Sequence, residues 1–245
     1  YTGVYAVYHG ILGHTIEIPE GNEESYKAGR NAVLGGIDFL NQDPDRLLEM
    51  RLNFYLRGLN KTEDPKAENE LVGPNGEIVG RVKNGRPKFF PDYYVIPMSL
   101  DKDNDAQEAF NMIDYFKRNG VLVKELKEDI GNYKKGDLVI DMAQAKRGYA
   151  NHILYKGSNE SAWAAMYAEL LVNFPDMRGF KSEPVFADGL FNGKLGEVTT
   201  TRATRTSEID PKAPYYVIAN TSASAVKAVN QAIAQGKSGY LTDYG

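Results

Sequence analysis

Two apolar runs of nearly the same composition lie far apart in this chain, and the same order of elements follows each. Pro91-Asp92-Tyr93-Tyr94-Val95-Ile96 leads into Ala106, Ala109, Phe110, Ile113 and Phe116 at helical spacing, then Gly120, then the run Val121 to Leu126. Pro214-Tyr215-Tyr216-Val217-Ile218 leads into an Ala-rich stretch, then Gly236, then Tyr240-Leu241. A short continuous apolar run is the pattern of a strand covered on both faces, and a glycine past the last periodic residue is a helix stop. Two β-α-β units of this kind predict an α/β fold: an open parallel sheet with helices on both faces. Between them, Gly136 introduces a third strand, Leu138 to Met142, and a helix through Ala150 to Tyr155. Ser161 begins a further helix carrying Ala162, Trp163, Met166, Tyr167 and Leu170. Gly189 to Ser207 reads as loops and weak strands.

The chain before this region has a different pattern. His14-Thr15-Ile16-Glu17-Ile18 alternates and is β-branched, which predicts a strand, and Pro19 to Gly21 turns the chain. Asn22 has the chemistry of an N-cap, with Glu23 and Glu24 in the first turn of a helix whose apolar face is Ala28, Ala32, Val33, Ile37 and Leu40. Asp43-Pro44 opens a second helix, with Leu47, Leu48, Leu52, Tyr55, Leu56 and Leu59 on one side. A polar stretch from Asn60 to Asn69 follows. Asn75-Gly76 separates Leu71-Val72 from Ile78-Val79, the local chemistry of a hairpin, and Asn84-Gly85 repeats the turn signal. The expected division is residues 1–60, a bridging segment 61–90 with a hairpin, and an α/β domain 91–245. The chain opens inside structured-looking sequence and ends on the strand-like run Gly239 to Tyr244, so it reads as a piece of a longer protein, its last domain truncated.

Composition narrows the chemistry. A net charge of -4 and the lack of any Lys/Arg run argue against a nucleic-acid partner. There is no cysteine, which excludes disulfides, thiolate metal ligands and a cysteine nucleophile. No apolar stretch approaches the roughly 20 residues of a membrane span, and no signal peptide is present.

Only three histidines are available, His9, His14 and His152. His14 and Glu17 have His-x-x-Glu spacing, but residues three apart on a strand point to opposite faces, so this pair is not expected to share an ion. His9 and His14 read as local hydrogen-bonding residues near the strand start, and His152 as a structural residue of a helix. No Gly-x-Ser-x-Gly elbow, Walker loop or dinucleotide fingerprint occurs. Arg202 and Arg205, with Thr199, Thr200, Thr201 and Thr204, read either as an anion site or as a solvated loop. Glu17 is the remaining candidate. A carboxylate between Ile16 and Ile18 needs a partner or a task if its face is buried, and needs neither if that face is exposed.

The stretch Tyr8-His9-Gly10-Ile11-Leu12-Gly13-His14-Thr15-Ile16-Glu17-Ile18-Pro19, with the helix after it, resembles the end of the catalytic domain of zinc carboxypeptidases of the carboxypeptidase A type. The resemblance covers roughly residues 1 to 59. It implies that Glu17 is the general base acting on the zinc-bound water, that the substrate is a peptide with a free C-terminus, and that the protein works outside the cell or at its surface. The family's zinc ligands and its substrate-carboxylate contacts would all precede Tyr1, so zinc is expected with ligands outside this chain and with none inside it. Tyr93 to Met98, Met142-Ala143-Gln144 and Asn220-Thr221-Ser222 are similar to a class I glutamine amidotransferase domain. That implies a flavodoxin-like fold without glutaminase activity, since the required cysteine is absent. The rival expectation is a non-catalytic binding or scaffold module of a larger protein.

Overall fold

The computed structural model describes residues 2–18, 20–64, 87–98, 106–156, 174–199, 210–220 and 222–242. Pro19, both Asn-Gly turns with their hairpin, the helix expected from Ser161 and the Arg202/Arg205 loop beyond Thr199 lie outside these residues. The chain divides into two compact units, one of residues 1–63 with Ala143–Tyr149, the other of residues 64–142 with 150–245.

The first unit is helical. Helix α1 spans Thr2–Tyr8, α2 Glu23–Gln42 and α3 Pro44–Leu59. The caps are those the sequence specifies. Asn22 Oδ1 accepts from the Ser25 amide at 2.9 Å, Asp43 Oδ1 accepts from the Arg46 amide at 3.0 Å, and Pro44 occupies the first position of α3, where no amide hydrogen is needed. The strand expected over His14 to Ile18 does not form: residues 12–18 carry no strand pairing, and α1 precedes them. Alternation and β-branching favour an extended backbone, but a strand also needs a partner edge to take its amide and carbonyl groups. Among the described residues of this unit only Gly58, Gln144, Arg147 and Tyr149 are buried. The apolar stripe of α2 faces water, with Val33 55% and Ile37 48% exposed.

The second unit holds the sheet. Strands β1 (Tyr93–Ile96), β2 (Lys124–Leu126), β3 (Leu138–Asp141), β4 (Glu183–Val185) and β5 (Leu195–Gly196) lie in the order β4-β1-β3-β2-β5. Every neighbouring pair is antiparallel. This corrects the expectation of a parallel, flavodoxin-like sheet. The crossover from β1 through helix α4 (Ala106–Arg118) to β2 is present, and β1 and β2 do run the same way, since each is antiparallel to β3. They are not neighbours, however, because β3 lies between them. The continuous burial of Tyr93 to Ile96 was a true signal of coverage on both faces, and such coverage is not confined to parallel sheets.

The second expected β-α-β unit is also corrected. Tyr215 to Ile218 forms no strand and is exposed along its length, although the Ala-rich helix after it does form, as α7 (Ala223–Ala234), capped by Ser222. Tyr240 and Leu241 are likewise exposed and unpaired in any strand.

The core follows from the two-residue period of the strands. On one face Tyr93, Val95, Leu126, Val139, Val185 and Phe191 form a buried cluster, with the Tyr93 and Phe191 rings edge to face at 5.0 Å. From the other face of β1, Tyr94 donates its hydroxyl to Asn151 Oδ1 at 2.9 Å, on helix α5 (Arg147–Leu154). Helix α4 buries Ala109, Phe110, Met112, Ile113 and Phe116. A short helix α6 (Phe174–Arg178) precedes β4. Asp137, just before β3, ties the segment after β1 to the turn that leads into β3: its buried carboxylate accepts from the Met98 amide at 3.0 Å and the Lys134 amide at 2.7 Å. Asp137→Ala removes both acceptors and leaves two amides unsatisfied, for an expected loss of about 2–4 kcal/mol. Urea unfolding of the two forms measures it, and an unchanged midpoint would show that these amides find other partners.

Candidate functional site

Two side-chain groups in the first unit can carry chemistry. The first is built on residues 12–18. Gly13 sits against α1 so closely that a Cβ there would lie 2.2 Å from the Gly3 carbonyl oxygen, so the approach demands glycine. The segment then runs beside α1, and Glu17, His14 and Thr15 line one open groove with Gly3, Val4, Val7, Tyr8 and Gly13. Glu17 is exposed. Its carboxylate therefore has no need of a structural partner, the outcome that alternation allowed. Because no strand forms, the geometric ground for separating His14 from Glu17 disappears, and both reach the same groove. Burial pushes the Tyr8 hydroxyl above the usual phenol range, which keeps it a protonated hydrogen-bond donor.

The zinc that the carboxypeptidase resemblance implies has no ligand set in this groove. Among the described residues there is no group of three or more His, Asp or Glu side chains able to hold a metal ion. A groove with one histidine and one carboxylate falls short of the three protein ligands of a catalytic zinc site.

The second group was not legible as a group in the sequence. Tyr55, on α3, donates its hydroxyl to the His9 carbonyl oxygen at 2.8 Å. Lys146 Nζ lies 2.8 Å from His9 Nδ1 and 5.0 Å from the centre of the Tyr55 ring. An ammonium can only donate, so Nδ1 is the unprotonated ring nitrogen of His9. His9 thus bonds across 137 positions of sequence rather than locally as expected. Tyr5 and Tyr149 pack their rings on it at 4.4 and 5.0 Å. Burial would raise the Tyr55 hydroxyl, but Arg51 and Lys146 beside it hold it below the usual phenol range. The spacing of Arg51 and Tyr55 places them together on one face of α3, and this much a sequence reading could have found. Lys146 could not be found that way.

What brings Lys146 in is the close approach of α3 to residues 144 and 145. A Cβ on Gly58 would lie 2.4 Å from the Gln144 carbonyl oxygen and 3.1 Å from that of Ala145. Arg147, buried, then donates to the Thr62 carbonyl oxygen at 2.9 Å and pairs with Glu63. His152, the third histidine, lies in the second unit, where burial depresses its pKa below the usual imidazole value. That behaviour suits a neutral structural residue.

Compared with models of protein families, with curated proteins and with solved structures, the chain matches none. No helix among the described residues is long and apolar enough to cross a membrane.

Gly58→Ala should force residues 144–145 off α3, costing about 1–3 kcal/mol and moving Lys146 away from His9 and Tyr55. Thermal unfolding and the Tyr55 ring resonances report the two effects. Unchanged Tyr55 shifts would show that Lys146 is held by something other than this approach.

Proposed function

We propose that this chain contributes the general base of a zinc-dependent carboxypeptidase, and that the base is Glu17. The observation that supports the reading most is the placement of Glu17: an exposed carboxylate lining the groove, on the segment between α1 and the capped helix α2. A base must meet water and substrate, and a carboxylate already engaged in a structural pair would be poorly placed to do so. Glu17 takes a proton from the attacking water as its oxygen adds to the scissile carbonyl, and delivers a proton to the amine as the C–N bond breaks. The substrate in this reading is a peptide with a free C-terminus, met outside the cell or at its surface. The zinc ligands belong to chain outside the present sequence.

A second reading, a binding or scaffold module without catalysis, has its own support. Helix α2 buries none of its twenty residues, and its apolar stripe faces water. Stripes of that size commonly mark contacts between proteins.

The test is Glu17→Gln in the protein that carries the zinc ligands. Gln keeps the size and most hydrogen bonds but cannot accept the proton. Turnover of a free-C-terminus peptide should fall roughly 10²- to 10⁴-fold. Zinc content should hold, and stability should change by less than about 0.5 kcal/mol because position 17 is exposed. Near-normal turnover would remove Glu17 from the mechanism. A zinc-loaded parent chain that cleaves no such peptide, whichever residue stands at position 17, would favour the binding module.

A further inference from the structure

His9 and Lys146 are both bases, yet Lys146 Nζ lies 2.8 Å from His9 Nδ1. The contact holds only while the imidazole is neutral, because an ammonium has donors alone and Nδ1 must supply the lone pair. A proton on Nδ1 sets two donors face to face and puts two positive charges at hydrogen-bond distance.

The surroundings do not relieve that conflict. From α1, Tyr5 packs on the His9 ring at 4.4 Å, and from α5 Tyr149 packs at 5.0 Å with Tyr8 against its edge. From α3, Tyr55 gives its hydroxyl hydrogen to the His9 carbonyl and presents its ring to the Lys146 ammonium at 5.0 Å. Arg51, four residues before Tyr55, lies on the same face of α3 and adds positive charge to it. Ring faces favour a cation, but that attraction falls short of the repulsion between two charges this close. Lys146 forms no ion pair with a carboxylate among the described residues, so its charge is not neutralised. The second ring nitrogen of His9, Nε2, is shut off from water, so solvent does not spread an added charge there.

Lys146 is the member that can leave. It is half-buried on a flexible stem, whereas Arg147 beside it is buried and anchored on Thr62 and Glu63. Motion is therefore confined to Lys146 and the residues just before it, which lie against Gly58 of α3.

We propose that His9 and Lys146 form a proton-operated latch: neutral His9 holds the Lys146 ammonium against Tyr55, and protonated His9 expels it into water and loosens residues 144–146 from α3. The latch is separate from the Glu17 groove and stands or falls independently of the peptidase reading. An imidazole in the unfolded chain takes its proton near about pH 6.5. The folded chain resists that proton, so below this pH it binds fewer protons than the unfolded chain. The stability that the latch contributes is therefore full above about pH 6.5 and is lost as the pH falls.

The test follows the His9 ring, the Lys146 side chain and the Tyr55 ring by NMR from about pH 8 down to about pH 4.5, a span that brackets the imidazole. The whole chain is compared with Lys146→Met and His9→Asn. His9 should take its proton at least about one pH unit lower in the parent than in Lys146→Met, while His14 titrates alike in both. In the parent, the Lys146 and Tyr55 signals should move with the His9 midpoint. Asn at position 9 keeps an acceptor but takes no proton, so in His9→Asn those signals should stay constant. If Lys146→Met fails to fold, His9→Asn decides alone. Equal His9 titration in the parent and in Lys146→Met would overturn the latch. So would Lys146 and Tyr55 signals that move as much in His9→Asn as in the parent, or that stay still in the parent while His9 titrates.

Discussion

The pairing of β1 with β3 is the contact on which the second unit depends. Four consecutive residues of β1 meet four of β3, from Tyr93 against Asp141 to Ile96 against Leu138, and all of β1 is buried. Backbone groups removed from water this completely must be bonded, and β3 and β4 satisfy them from the two sides. Everything else in the sheet is set relative to this pair. With β3 in the middle, β2 pairs with its free edge, and β5 caps the outside of β2. The two-residue period then divides the side chains: Val95 and Val139 enter the cluster around Phe191, while Tyr94 turns to Asn151.

That arrangement explains what the sequence disclosed and what it hid. Elements specified by local chemistry were legible. Asn22, Asp43-Pro44 and Gly120 mark helix ends because caps and left-handed glycines act within a few residues, and Gly120 indeed takes a positive φ of 74°. Strand neighbours were not legible. The run Tyr93 to Ile96 announces burial on both faces but says nothing of which strand lies beside it, so the crossover to β2 suggested adjacency where β3 intervenes. Tyr215 to Ile218 has almost the same letters and is exposed. Composition alone did not distinguish them, since a strand exists only where another edge accepts it. The same reason leaves Thr15 to Ile18 outside any strand.

The candidate sites divide along the same line. Glu17 could be singled out because a carboxylate between two isoleucines is locally unusual, and the structure places it in water beside His14. The Tyr55 group could not, because its members come from three separate stretches of chain. Arg51 and Tyr55 share a helix, His9 follows α1, and Lys146 follows β3. Gly58 is the link: its missing side chain lets residues 144–145 approach α3, and Lys146 comes with them. A glycine within a helix looks like a weakness in sequence; in the structure it marks the contact that assembles the group.

The order of the sheet can be read directly by NMR from contacts between α-hydrogens on facing strands. Antiparallel neighbours bring these hydrogens close at alternate partner pairs, whereas parallel neighbours do not. The account predicts such cross-peaks between β1 and β3, in the register that sets Tyr94 opposite Ile140, and between β3 and β2, in the register that sets Glu125 opposite Leu138, with none between β1 and β2. Direct backbone contacts between β1 and β2, without α-hydrogen cross-peaks to β3, would place the two strands side by side in a parallel sheet and contradict it.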